Sequence, residues 1–263
     1  MVVKFKRKVS KGSRFNQIYV PKNMEPFIEA GDEVEVRLVR KFINVHYSTD
    51  LKKLPEFKED LIKNIFSFLS NIPNVSSMFV VGSFLTEKIN YNDIDVVLIT
   101  SNWENNFEET VFNKLIEKFN LKFHILTIEG KKFDHLLRIC PLTRAMFSKF
   151  ICNNQFAVSD GKSIDERHIN FLLMMPEDLL EIKLGSRIFF DSIRRLITIE
   201  KFLRKKSLDI LMINDDVKKL VNNRLYNIIR NNKEIEENSI NALRKIIKIK
   251  LVIIKKLIEN GKN

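Results

Sequence analysis

One stretch constrains this chain more than any other: Val80-Val81-Gly82-Ser83, followed after nine residues by Asp93-Ile94-Asp95-Val96-Val97-Leu98-Ile99. Residues 78–81 are a short apolar run, the composition of a buried strand. The run ends in Gly82-Ser83, where a residue without Cβ lets backbone come close to a ligand and a serine offers its hydroxyl. Residues 84–90 can form a short helix whose first-turn N–H groups face the same place. Asn92 and Asp93 interrupt the pattern, and residues 94–100 form a second apolar strand rich in Val and Ile. Residues two apart on a strand share a face, so Asp93 and Asp95 project together from its start.

Two carboxylates side by side repel, which raises a pKa unless a cation sits between them. Mg²⁺ is that kind of cation, because it takes carboxylate oxygens and bridges to substrate phosphates. A Gly-Ser cradle opposite a carboxylate pair therefore points to a nucleotide–metal site. A bare pair of aspartates two apart is equally compatible with a strand that begins in solvent. Taken whole, Gly82-Ser83, nine residues, then Asp93-Ile94-Asp95 leading into an apolar strand resembles the signature of the polymerase-β-like nucleotidyltransferases, in particular their small "minimal" members. The resemblance covers roughly residues 61–165. It implies that Asp93 and Asp95 are catalytic carboxylates binding Mg²⁺, and that Gly82 and Ser83 contact the phosphates of a nucleoside triphosphate.

The family also has a third carboxylate on the next strand, and here the sequence departs from it. That strand reads Leu121-Lys122-Phe123-His124-Ile125-Leu126-Thr127-Ile128. Lys122 and His124 share the face where the acid belongs, and the register decides which of them occupies its place. Protonated lysine cannot ligate a metal and attracts phosphate as a point charge. His124 can act as a base or a ligand, although a lone strand histidine is also an ordinary structural residue. Glu129, at the strand's end, is the nearest acid in sequence. Nucleotide binding is thus better supported than turnover.

The net charge of +12 fits anionic partners such as nucleotide, DNA or RNA, and fits equally a Lys-rich solvated surface with no such partner. The content of 44% hydrophobic and 30% charged residues excludes a disordered chain. No apolar stretch reaches membrane-spanning length, and Lys4, Lys6, Arg7 and Lys8 lead into no apolar signal core. Cys140 and Cys152 lack metal spacing and read as buried thiols of a cytoplasmic protein.

Residues 2–10, 15–20, 33–40 and 42–47 read as short strands, with one helical turn at 23–30. So small a unit buries little surface and needs a partner. Lys8-Val9-Ser10-Lys11-Gly12, Gln17-Ile18-Tyr19-Val20-Pro21-Lys22 and Ala30-Gly31-Asp32-Glu33-Val34-Glu35-Val36 resemble the AbrB-like swapped-hairpin fold. That resemblance implies a homodimer through this module, with Lys6, Arg7, Lys8, Lys11 and Arg14 as nucleic-acid contacts. On residue types alone, DNA binding and pure dimerisation stand level.

Residues 49–59 read as a charged linker and 60–71 as an amphipathic helix. Residues 103–120 are a second helix, and 131–153 are mainly helical with Pro141 interrupting; Arg138, Arg144 and Lys149 there can reach a phosphate or form a solvated face. Pro176-Glu177-Asp178 suits the start of a helix running to about residue 206, with further helices at 214–231 and 239–261. The reading is an α+β chain. An AbrB-like β module (1–48) precedes an α/β nucleotidyltransferase domain (59–165) and a helical bundle (166–263). Two functions fit it. One is transfer of a nucleotidyl group to an acceptor, with Mg²⁺. The other is a non-catalytic, nucleotide-sensing, DNA-binding regulator or antitoxin-like protein.

Overall fold

The computed structural model describes residues 4–24, 26–37, 43–87, 91–102, 105–159, 161–182 and 184–260. The chain divides into two compact units, Met1–Lys41 and Phe42–Asn263.

In the first unit, the expected strands contract to a hairpin of β1 (Ser10–Lys11) and β2 (Asn16–Gln17), closed by the Gly12 N–H donating to the Phe15 carbonyl at 3.0 Å. The helical turn is a single 3₁₀ turn, Lys22–Met24. Residues 33–37, expected as a strand, lie in none, and 38–40 fall outside the described residues. None of residues 4–24 and 26–37 is buried, and Phe15, Tyr19 and Val36 are more than half exposed. An isolated two-stranded hairpin is marginal in water, which accounts for its shortness.

The second unit is built on a five-stranded mixed sheet of order β3-β7-β4-β5-β6. Its strands are β3 (His46–Tyr47), β4 (Val75–Val81), β5 (Ile94–Thr100), β6 (Phe123–Glu129) and β7 (Phe150–Cys152). β5 and β6 run parallel, joined by the crossover helix α2 (Phe107–Phe119); the other neighbours are antiparallel. Alternation along β5 divides the core. Ile94, Val96 and Leu98 pack beneath α1 (Glu56–Leu69) and α2, with Ile62, Phe66 and Leu115. Val97 and Ile99 pack on the other face with Phe133 and Leu137 of α3 (Gly130–Ile139). Asp95 therefore points to the α3 side.

Two expectations change here. Residues 131–153 are not helical throughout: after α3 and α4 (Pro141–Met146), the run Phe150-Ile151-Cys152 enters the sheet between β3 and β4. All three residues are buried, as a central strand covered on both faces requires. His46–Tyr47 pairs with that strand, so it belongs to this sheet and not to the hairpin before it.

The rest is helical: α5 (Glu166–Asp178), α6 (Ser186–Leu203), α7 (Ile210–Val221), α8 (Asn223–Arg230) and α9 (Glu237–Asn260) share one apolar core centred on Phe189, Ile193, Leu196 and Ile247. Pro176 does not start a helix but lies in the last turn of α5. A proline there deprives the Leu172 carbonyl of its donor, and Arg195 Nη1 supplies one at 3.3 Å. The helix expected over 214–231 is two, broken at Asn222, whose φ of 65° is left-handed and whose side chain accepts from the Leu225 N–H at 3.0 Å. The architecture is α+β.

Candidate functional site

Three strand ends meet at one edge of the sheet. β4 finishes at Val81, which pairs with Asp95 across the antiparallel ladder, and Asp95 pairs with His124 across the parallel one. Gly82 follows β4 with a φ of +77°, a backbone state that L side chains rarely adopt. A Cβ at this position would also collide with Oδ2 of Asp95. Glycine is required twice over, for its dihedral and for the approach of the carboxylate. The Gly-Ser turn and the second aspartate, distant in the sequence motif, are thus in direct contact.

The helix expected over 84–90 is a 3₁₀ turn, Gly82–Leu85, with 88–90 outside the described residues. Ser83 is exposed, and its carbonyl accepts from Thr86 Oγ1 at 2.8 Å. Asp93, immediately before β5, is half-buried.

The register settles which residue lies beside Asp95. It is His124, whose Nδ1 is 3.0 Å from Asp95 Oδ1. Lys122 comes one step before β6; its carbonyl accepts from the Ile94 N–H at 3.0 Å and its side chain is exposed. Glu129 pairs with Thr100 at the opposite end of the ladder and bonds Lys132 at 3.0 Å. Five residues of strand put it about 16 Å from the Asp95 row, so it does not join the cluster.

The Asp95 carboxyl holds its proton more tightly than an ordinary aspartate. Burial is the main cause and the neighbouring Asp93 charge adds to it, while His124 and Arg194 pull the other way. Among the described residues no group of three or more His, Cys, Asp or Glu side chains is arranged to hold a metal ion. Asp93 and Asp95 are a two-carboxylate set whose mutual repulsion a cation relieves. That donor chemistry suits Mg²⁺, which keeps its remaining positions for water and phosphate oxygens.

Two residues near this edge are absent from the sequence motif. Lys58, in the first turn of α1, is fully buried and donates from Nζ to the carbonyls of Phe84 and Thr86, each at 2.8 Å. Its ammonium also lies 4.8 Å from the centroid of the Phe84 ring. Burial lowers its pKa. It pins the segment that follows Gly82-Ser83. The signal was present: Lys58, Ile62, Ile65, Phe66 and Leu69 form one helical stripe, with a lysine at its end where a charged linker is the simpler reading. The second is Arg194 on α6, whose positive charge acts on Asp95.

The other basic residues divide. Lys6, Arg7, Lys8, Lys11 and Arg14 are all exposed around the hairpin of the first unit. Arg144 donates to the carbonyls of Leu137 and Ser159, and Lys149 pairs with Asp209 at 2.6 Å, so both fasten the fold.

Residues 59–145 match a protein-family model described as "Nucleotidyltransferase domain". The match runs from α1 into α4 and contains Gly82, Ser83, Asp93, Asp95 and His124. Searches of curated proteins and of solved structures find no match. No helix among the described residues is long and apolar enough to cross a membrane.

Proposed function

We propose that this chain binds a nucleoside triphosphate with Mg²⁺ at the shared edge of β4, β5 and β6, and transfers a nucleotidyl group to an acceptor hydroxyl. One observation carries the reading: a single carboxylate, Asp95, lies against Gly82 on one side and bonds His124 on the other. The family match over residues 59–145 supports it. Asp93 and Asp95 are the residues that would hold the ion, which neutralises charge on the triphosphate. Gly82 and Ser83 offer a backbone N–H and a hydroxyl to phosphate oxygens.

His124 takes the place of the third acid as a general base. With Nδ1–H assigned to the bond with Asp95, Nε2 is the nitrogen that receives a proton. The acceptor hydroxyl gives its proton to Nε2 and its oxygen bonds to the α-phosphorus. The bond from that phosphorus to the bridging oxygen breaks, and pyrophosphate leaves with the electron pair.

A second reading keeps the nucleotide and drops the transfer: a nucleotide-sensing, DNA-binding regulator or antitoxin-like protein. The specific observation favouring it is an imidazole where a carboxylate completes the family's site, in a chain whose hairpin displays five exposed basic residues, Lys6, Arg7, Lys8, Lys11 and Arg14. In either reading the unburied first unit dimerises by covering its apolar residues with a second copy. The buried free thiols of Cys140 and Cys152, with Cys152 pushed up to about 11 by burial, suit a reducing cytoplasm.

Incubation with Mg²⁺ and each α-labelled nucleoside triphosphate, with and without total RNA, tests the choice. Label transfer that disappears in Asp93→Ala supports the enzyme. Mg²⁺-dependent thermal stabilisation by a triphosphate without transfer supports the regulator, and neither signal refutes both.

A further inference from the structure

α5 has two unlike faces. Ile169, Leu172 and Leu173 are buried in the helical core that it shares with α6 and α9. On the outward side Arg167, Phe171, Met174 and Asp178 recur at spacings of four, three and four. At 3.6 residues per turn these positions fall within about 60° of one another around the axis, so they form one stripe. All four are exposed, Phe171 at 66% and Met174 at 57%, where the outward face of an amphipathic helix is ordinarily polar. Ile182, whose N–H donates to the Asp178 carbonyl at 2.9 Å, lies one turn further on, and Ile164 just precedes the N-cap; both are about half exposed. Among the described residues neither Arg167 nor Asp178 makes an ion pair.

The stripe reads alike in both directions except for the sign of its charges. Phe171 and Met174 are equidistant from a point between Leu172 and Leu173, and Arg167 and Asp178 are equidistant from that same point. Two such helices laid antiparallel about a two-fold axis through it set Phe171 beside the partner's Met174, and Arg167 beside the partner's Asp178. A parallel arrangement sets like charges together and is disfavoured. A lipid headgroup layer or a nucleic-acid backbone calls for one sign of charge, and an unrelated protein calls for no symmetry. A second copy of this chain uses both features.

We propose that the outward face of α5 is a self-association surface, joining two copies of the chain antiparallel through Phe171 and Met174, with a reciprocal Arg167–Asp178 ion pair on either side of the axis. The contact is separate from the one the first unit offers and does not depend on the nucleotide site. From Ile164 to Ile182 the stripe is about 27 Å long, on a helix about 10–12 Å wide. The footprint is about 300 Å² per copy, well under the ~800 Å² per partner of a standard interface. The pair is therefore weak and forms as the protein is concentrated.

The test is cross-linking of full chains with a short bis-maleimide. Copies carrying Arg167→Cys are mixed with copies carrying Asp178→Cys, and wild type, whose Cys140 and Cys152 are buried, sets the baseline. In the antiparallel pair the two introduced thiols face each other and the second ion pair is kept, whereas two copies of position 167 lie about 16 Å apart along the axis. The mixture should give several-fold more covalent dimer than either variant alone. Adding Phe171→Lys to both copies replaces the aromatic with a good helix former and should remove that excess at an unchanged unfolding midpoint. Should Phe171→Lys shift the midpoint, Met174→Lys gives the same readout. A yield in the mixture no greater than in the separate variants overturns the proposal, as does an excess that survives both lysine substitutions. No cross-link, with wild type sedimenting on phosphatidylcholine vesicles and Phe171→Lys failing to, overturns it in favour of a lipid surface.

Discussion

Replacing Gly82 with alanine tests the contact on which the site is built. The +77° dihedral alone costs a residue with a Cβ about 1–2 kcal/mol. The new methyl also meets Oδ2 of Asp95, so the carboxylate must turn away and give up its 3.0 Å bond to His124. With His124 74% exposed, that bond is worth about 0.5–1.5 kcal/mol. The sum, about 1.5–3.5 kcal/mol, lowers Tm by about 3–14 °C in a unit of this size. Thermal unfolding followed by circular dichroism in wild type, Gly82→Ala, Asp95→Ala and the double variant isolates the contact. Once Asp95 is truncated the collision has no partner, so Gly82→Ala then costs only its dihedral. The cycle should give a coupling of about 1 kcal/mol, well above the 0.3–0.5 kcal/mol scatter of independent sites. Additive effects would refute the approach of Gly82 to Asp95.

Three further outcomes follow from the same geometry. The Asp95 proton is held more tightly in the folded chain than in the unfolded one, so ionisation of this group favours unfolding. Its contribution is fully present below the ordinary aspartate range and is lost as pH rises through the raised pKa. Asp95→Asn should therefore raise Tm at pH 8 and leave it unchanged near pH 3; an equal shift at both would contradict the cause given. Lys58→Met keeps the buried stem but leaves the Phe84 and Thr86 carbonyls without this donor, at about 1–3 kcal/mol each, offset in part by no longer burying a charge. The urea midpoint should fall by the equivalent of about 2 kcal/mol, with faster hydrogen exchange at Thr86, and unchanged exchange would refute the clamp. Phe15→Asp with Val36→Asp should halve the mass seen by light scattering, because both side chains are exposed at 78% and 64% in the single chain. A monomeric wild type would contradict the dimer.

Much of the central architecture was legible because local signals agreed there. The apolar runs of β4 and β5 and the amphipathic stripe of α1 each match one period, and the parallel β5–β6 pair needs the helix that the sequence places between them. What escaped depended on partners remote in sequence. Phe150-Ile151-Cys152 has no strand pattern of its own, and only the gap between β3 and β4 makes it one. Pro176 reads as a helix start until Arg195 is seen to satisfy the carbonyl it leaves open. The choice between Lys122 and His124, which share a face, was a matter of register, and a two-residue shift exchanges them. Lys58 reaches the segment after Gly82-Ser83 from the helix before it, and spacing within the motif carries no trace of it.

The central claim is that Asp93 and Asp95 hold a divalent cation together with a nucleotide. It is tested most directly by titrating the full chain with Mn²⁺ in the presence of each nucleoside triphosphate and following the free ion by electron paramagnetic resonance. The account predicts one immobilised Mn²⁺ per chain that depends on the nucleotide, and its loss in Asp93→Ala and in Asp95→Asn with the fold retained. Equal Mn²⁺ immobilisation in wild type and both variants would contradict it.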